Sequence, residues 1–219
     1  MPDICPVCRH ESDDFVYPVY QIVCHRCPNC GLITKDSADW PDRQLEKWIY
    51  DQHENSINDP CYVTYFRDFI DKAILPFMPA TTAALDYGSG PEPVLAILLA
   101  RDYGFPVEIY DLFFAPDTAP LGAMYDLITC TEVIEHLRDP LVTFRQLSSQ
   151  LRPGGILSVM TQLIPGDLSA FNRWHYPRDH SHIIFYTPAS LREIASTCGL
   201  RLLMCDQTRY TVFEKPDVG

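Results

Sequence analysis

From Ala83 onward, short apolar runs alternate with stretches of wider hydrophobic spacing, and that alternation sets the fold class. The runs Ala83–Tyr87, Val107–Tyr110, Tyr125–Cys130 and Gly155–Thr161 have the length and the branched and aromatic content of buried strands. Between them, Val94–Asp102 and Pro140–Leu151 have helical spacing. Asp139 caps and Pro140 opens the second of these helices, and Arg152-Pro153-Gly154-Gly155 stops it. Thr187-Pro188 starts a further helix that Gly199 ends, and Leu200–Cys205 and Thr208–Glu214 read as two strands joined by a tight turn. Strand and helix in alternation predict a doubly wound α/β sheet, mostly parallel, ending in an antiparallel hairpin.

The first part of the chain follows other rules. From Asp42 to about Phe77 the spacing is helical: Leu45, Trp48 and Ile49 share one face, Phe66, Phe69, Ile70 and Ile74 another, and Asn58-Asp59-Pro60 separates the two helices. Residues 1–40 are rich in cysteine and polar residues, with one β-like stretch, Phe15–Val23. The expected organisation is a small metal-built module over 1–40, a helical lid or linker over 41–79, and the α/β domain over 80–219.

The 219 residues, 47% of them hydrophobic, are enough to bury a sizeable core. The opening MPDICPVCRH carries neither an apolar signal nor a basic amphipathic leader, and no apolar run reaches about 18 residues, so the expectation is a cytoplasmic protein without a membrane partner. A formal net charge of −12 disfavours nucleic acid and anionic lipid, which need clustered lysine and arginine. A small-molecule partner fits better.

Nine cysteines without a secretory signal indicate reduced thiols and metal ligation. Cys5-x-x-Cys8 and Cys27-x-x-Cys30 have the spacing of a tetrahedral four-thiolate zinc site, each pair on a tight turn whose amides can donate to sulfur. Cys24, His25 and His10 lie near enough to replace one ligand. A closed site of this kind is structural, because it leaves no coordination position for a substrate. Arg9, Arg26 and Lys35 face six acidic residues within the module, which suits contact with a protein partner better than phosphate binding.

The chemistry of the α/β part begins at Leu85-Asp86-Tyr87-Gly88-Ser89-Gly90, a strand running into a glycine turn that lets a ligand approach the backbone. Glu92 and Pro93 stand where a dinucleotide fingerprint would continue, and an acidic loop repels a pyrophosphate. A ligand with a sulfonium and an ammonium group suits it better. Asp111 ends the next strand, where a carboxylate accepts hydrogen bonds from ribose hydroxyls; by itself an aspartate there also serves as a turn cap.

These segments, with YDLITCTEVIEHLRDP at 125–140 and LRPGGILSVMT at 151–161, resemble class I S-adenosylmethionine-dependent methyltransferases in order and spacing. The tail WHYPRDHSHIIFYTPASLREIASTCGL at 174–200 is similar to a bacterial subgroup in which a cysteine-pair module precedes that domain. The resemblance implies a seven-stranded Rossmann-like sheet and S-adenosylmethionine as cofactor. It implies that Asp86, Gly88, Ser89 and Gly90 hold the methionyl part, Asp111 the ribose, Leu112 and Phe113 the adenine, and that Thr131 and Glu132 line the methyl-donor side. Only about 13 residues separate Asp111 from the strand at Tyr125, so the third strand of the pattern is shortened or absent.

Methyl transfer from a sulfonium relies largely on positioning, and a hydroxyl or carbon acceptor also needs its proton removed. Candidates gather in Trp174–His182, on the connection between the strand Gly155–Thr161 and the helix that starts at Thr187-Pro188. His182 ranks first as base by its place in the family-like D-x-x-H pattern, His180 second, with Asp179 orienting an imidazole; the competing reading is that these residues pin an irregular loop. Glu135 and His136 read as structural, and Tyr50, Tyr62 and Tyr65 as core residues of the lid. The expected function is O- or C-methylation of a small molecule. The rivals are a nicotinamide-dependent oxidoreductase and a non-catalytic cofactor-binding or zinc-scaffold interaction protein.

Overall fold

A computed structural model of the chain describes residues 3–52, 55–78 and 82–217. The expected boundary between lid and α/β domain, at 79/80, lies outside them. The chain opens with three short strands, β1 (Asp13–Tyr17), β2 (Ile22–Arg26) and β3 (Ile33–Lys35). The predicted stretch Phe15–Val23 is thus two strands, broken where Gln21 takes a φ of +55° in the turn between them.

Two helices follow, α1 (Arg43–Tyr50) and α2 (Pro60–Phe69), each capped by the aspartate ahead of it: Asp42 accepts from the amides of Gln44 and Leu45, and Asp59 from Cys61. After α2 the helix widens into a π turn at Ile70–Ile74. Its inward face, Phe66, Phe69, Ile70 and Ile74, is buried as the spacing predicts. On α1 no residue is buried: Leu45 is 45% and Trp48 60% exposed. Two turns lying over the domain anchor through Tyr50 instead, whose ring packs against Phe113 and His136.

The α/β part comprises β4 (Ala84–Tyr87), α3 (Val94–Tyr103), β5 (Val107–Tyr110), β6 (Tyr125–Thr131), α4 (Pro140–Gln150), β7 (Leu151–Met160), α5 (Leu168–Arg173), β8 (Ile184–Phe185), α6 (Pro188–Thr197), β9 (Arg201–Cys205) and β10 (Tyr210–Glu214). Six strands form its sheet in the order β5-β4-β6-β7-β10-β9, parallel from β5 to β7 and antiparallel through the terminal hairpin. Among the described residues the sheet has six strands, not the seven implied by the resemblance. The residues between β5 and β6 form a turn at Asp111 and a short helical turn at Ala119–Gly122, too little chain for another strand and its crossover.

Side chains alternate between two cores. Leu127 on β6 faces α3 and the α2 region, while its neighbour Ile128 faces α4 and α6. The second core continues without a break into the N-terminal module: Cys5, Cys27, Cys30 and Leu32 belong to the same buried cluster as Ile183, Tyr186 and Leu191. The reason is strand pairing. β8 does not join the large sheet; it pairs with β3, giving a four-stranded sheet β1-β2-β3-β8. The Thr187 hydroxyl donates to the carbonyl of Cys30, Tyr17 to that of Trp174, and buried Lys35 to that of Asp179. The module is built into the flank of the domain. No helix among the described residues is long and apolar enough to cross a membrane.

Candidate functional site

The four paired cysteines converge. Cys5 and Cys30 sulfurs are 3.7 Å apart, Cys8 and Cys27 3.3 Å, and Cys8 and Cys30 3.5 Å. These are close to the edges, about 3.8 Å, of a tetrahedron with zinc–sulfur bonds near 2.3 Å. The two turns match: the residue after each second cysteine, Arg9 and Gly31, takes a φ of +63° and +72°. The amide of Cys30 donates to the Cys27 sulfur. Two of the three alternative ligands stand apart from the sulfurs, and the third, His10, lies beside Cys8, its Nδ1 3.1 Å from that residue's carbonyl oxygen. Cys24 lies in an apolar cluster where burial pushes its thiol up to about 12; His25 is held between Asp14 and Asp36; His10 is exposed.

At the carboxyl edge of the large sheet, β4 ends in the glycine turn. Gly88 has a φ of +82°, and a Cβ there would lie 2.2 Å from Val133, so no other residue fits. The Ser89 hydroxyl is buried and has no hydrogen-bond partner among the described residues. Asp111, after β5, closes the turn: one carboxylate oxygen accepts from the amide of Gly90, the other from Phe113 and Phe114. Phe113 packs under Tyr50 and the Arg43 guanidinium, whereas Leu112 is 48% exposed. The lid reaches the same turn, since the amide of Ile57 donates to Glu92.

Asp86 is fully buried, accepting from the Thr129 hydroxyl, and burial, aided by the charge of Asp111, pushes its carboxyl up to about 6. An unfolded aspartate titrates near 3.8, so folding takes up a proton here; this contribution is complete below about pH 4 and is lost as pH rises through about 6. The shift corresponds to ~3 kcal/mol. Urea unfolding at about pH 4 and pH 7.5 is expected to show the stability of Asp86→Asn gaining on wild type by ~2 kcal/mol. A difference that stays constant would show that Asp86 ionises freely.

Beyond the glycine turn stands a pair of buried carboxylates. Glu132 follows β6 with a φ of +51°, a strained conformation for a residue with a side chain, and such strain concentrates at functional sites. Its oxygens accept from Tyr65, at 2.6 Å, and Tyr176, at 2.9 Å. The Tyr176 hydroxyl also bonds to Glu135. Burial and the neighbouring Glu135 push Glu132 up to about 8, against the pull of the two tyrosines, and burial raises Glu135 as well. Sequence reasoning left Tyr65 in the core and Glu135 as a backbone anchor. The one signal for Tyr65 is that a buried phenol needs a partner.

His182 and His136 border this pair, their rings 4.9 Å apart. Burial and the nearby His136 push the His182 imidazole down to about 3, although Asp179 draws it upward, so it does not titrate near neutrality as a free imidazole does. Asp179 spends one oxygen on the amide and hydroxyl of Ser181; the other is 3.9 Å from His182, beyond hydrogen-bond reach. His180 is a correction. Its ring is exposed and stacks on Tyr20 of the N-terminal module, away from the carboxylates.

Residues 62–204 match the family model described as a methyltransferase domain. The chain is 28% identical over 131 residues to a ubiquinone biosynthesis O-methyltransferase of Aeromonas salmonicida, covering 55% of this chain and 54% of that protein. Against the same enzyme of Escherichia coli it is 36% identical over 76 residues, 35% of this chain and 31% of the other. The chain thus spans about half or less of the length of these curated relatives. Among solved structures, a Burkholderia thailandensis 1,6-didemethyltoxoflavin-N1-methyltransferase with bound S-adenosylhomocysteine has a TM-score of 0.58 at 14% identity, covering 94% of this chain and all of that one. Mitomycin 7-O-methyltransferase has a TM-score of 0.54 at 14% identity, over 77% of this chain and 60% of that one. At such identities the likeness speaks for the fold.

Proposed function

We propose, on the premise that this chain belongs to the methyltransferase-domain family, that it transfers the methyl group of S-adenosylmethionine to an oxygen or carbon of a small-molecule acceptor. The observation that carries this reading is the set of carboxylates, Asp86, Asp111 and Glu132, around a glycine turn in which a buried serine hydroxyl lacks a partner. A sulfonium and an ammonium brought beside these acids favour their ionised forms, and the orphaned Ser89 hydroxyl has a bond to give the cofactor. Gly88, Ser89 and Gly90 would hold the methionyl part and Asp111 the ribose. Phe113, under Tyr50, is the better placed of the two adenine candidates, and Thr131 and Glu132 would face the methyl donor. When bound, the cofactor supplies an already activated methyl group; the chain's task is to orient the acceptor and exclude water.

Asp111→Ala tests the assignment. It removes a charged acceptor from the ribose and also the anchor of the Gly90 amide. The expected cost is about 1.5–3 kcal/mol, roughly ten- to a hundredfold in S-adenosylmethionine affinity by calorimetry. Binding at wild-type strength would refute the placement of the ribose.

The four cysteines fit zinc by donor chemistry and by their mutual distances, and a closed thiolate centre holds structure. The reading for residues 1–40 is therefore a zinc ribbon that braces the stretch carrying Tyr176 and His182. Lys35, buried and committed to Asp179, is not available to grip phosphate.

A further inference from the structure

We propose that Glu135, His136 and His182 form a second metal site, separate from the four cysteines, that takes one divalent transition-metal ion. A carboxylate oxygen of Glu135 and one nitrogen of each imidazole lie within 4.8 Å of one another. The Nδ1 of His136 is 2.8 Å from the carbonyl oxygen of Ser181, and that of His182 is 2.9 Å from the carbonyl oxygen of Tyr176. A carbonyl oxygen only accepts, so each ring carries its proton on Nδ1 and each Nε2 is left with a bare lone pair. Metal-binding imidazoles are held in this way, with the second nitrogen donated to a backbone carbonyl that fixes tautomer and ring orientation.

The third donor is in deficit. Glu135 has no solvent exposure, and its Oε2 has no hydrogen-bond partner among the described residues. Among the described residues no lysine or arginine forms an ion pair with it. A cation removes that deficit. Two imidazoles and a carboxylate select manganese, iron, cobalt or zinc over magnesium and calcium, whereas four thiolates select softer ions. A shared ion about 2.1 Å from each donor draws the three roughly an ångström closer, a movement for His182, which lies on a stretch without regular secondary structure.

Three protein ligands leave open positions beside Glu132. There an acceptor hydroxyl can bind the ion and lose its proton more readily, with His182 serving as ligand and not as base. This consequence rests on the methyl-transfer reading; the site itself does not.

Mn2+ is the probe, because it prefers nitrogen and oxygen to thiolate and its free aqueous signal is read by electron paramagnetic resonance. Titration of the full chain carrying one equivalent of zinc, enough for the four cysteines alone, is expected to show one Mn2+ bound, with affinity at least about tenfold weaker in His182→Ala and in Glu135→Gln. In His180→Ala it is expected to be unchanged. No Mn2+ bound by the unaltered chain overturns the inference, and so does wild-type affinity in either ligand variant. Melting of each variant without metal reports folding; if Glu135→Gln does not fold, His182→Ala and the unaltered chain decide. Calorimetry with S-adenosylmethionine on the same sample keeps the readings apart: cofactor binding without Mn2+ binding overturns only the metal site, and Mn2+ binding without cofactor binding overturns only the proposed function.

Discussion

On the proposal that Cys5, Cys8, Cys27 and Cys30 hold zinc, removing it with a chelator, or replacing Cys27→Ser, is expected to lower the melting temperature of the whole chain by roughly 10–20 °C. Zinc held by four ligands contributes an apparent 10–16 kcal/mol in isolated fingers, comparable with the entire stability of a domain of about 5–15 kcal/mol. If about 5 kcal/mol of this is lost, the shift follows from the 2–4 °C per kcal/mol typical of chains this size. From sequence alone the damage would be confined to residues 1–40. The structure extends it, because β3 pairs with β8 and the cysteines share a buried cluster with Ile183, Tyr186 and Leu191. Hydrogen exchange is expected to quicken over residues 174–186, and the turn at Gly88 to keep its protection longer. An unchanged melting temperature, with faster exchange only in residues 3–40, would show that the module is an appendage.

His182→Ala is expected to reduce turnover about a hundred- to ten-thousandfold while leaving S-adenosylmethionine affinity nearly intact, since the residue serves the acceptor and not the donor. The competing structural role is separated by His182→Asn. An asparagine amide can still donate to the Tyr176 carbonyl, as Nδ1 of His182 does at 2.9 Å, but has nothing in the place of Nε2. A residue needed only to pin the loop would be rescued by asparagine, with the melting temperature restored. A residue needed for Nε2 would not be, and turnover would stay low in a stable protein. Wild-type turnover in His182→Asn would remove the side chain from the chemistry.

Much of this was legible without coordinates wherever the signal is local. The start of α4 follows from Asp139-Pro140, because a capping carboxylate and a preset proline φ act within a single turn. The cysteine turns follow from their spacing, and the missing strand from the shortness of the chain between Asp111 and Tyr125. Asp111 was expected at the end of the strand that follows the glycine turn, and there it accepts from the amide of Gly90.

What sequence separation hides was decided by packing. Glu132 and Glu135 were visible as residues, but that they share the hydroxyl of Tyr176, some forty positions on, depends on how the stretch after β7 folds back over the sheet edge. A single residue, Ser181, parts His180 from His182. One stacks on the N-terminal module and the other sits against His136, because a chain leaving a helical turn can point either way until β8 is taken by β3. The sequence by itself thus determined the periodic elements, their caps and the two cysteine turns, each governed by interactions within a few residues. Only the tertiary structure decided which strand the module annexes, which imidazole is buried and which carboxylates lose their water, since hydrogen bonding, burial and ionisation there depend on neighbours far away along the chain.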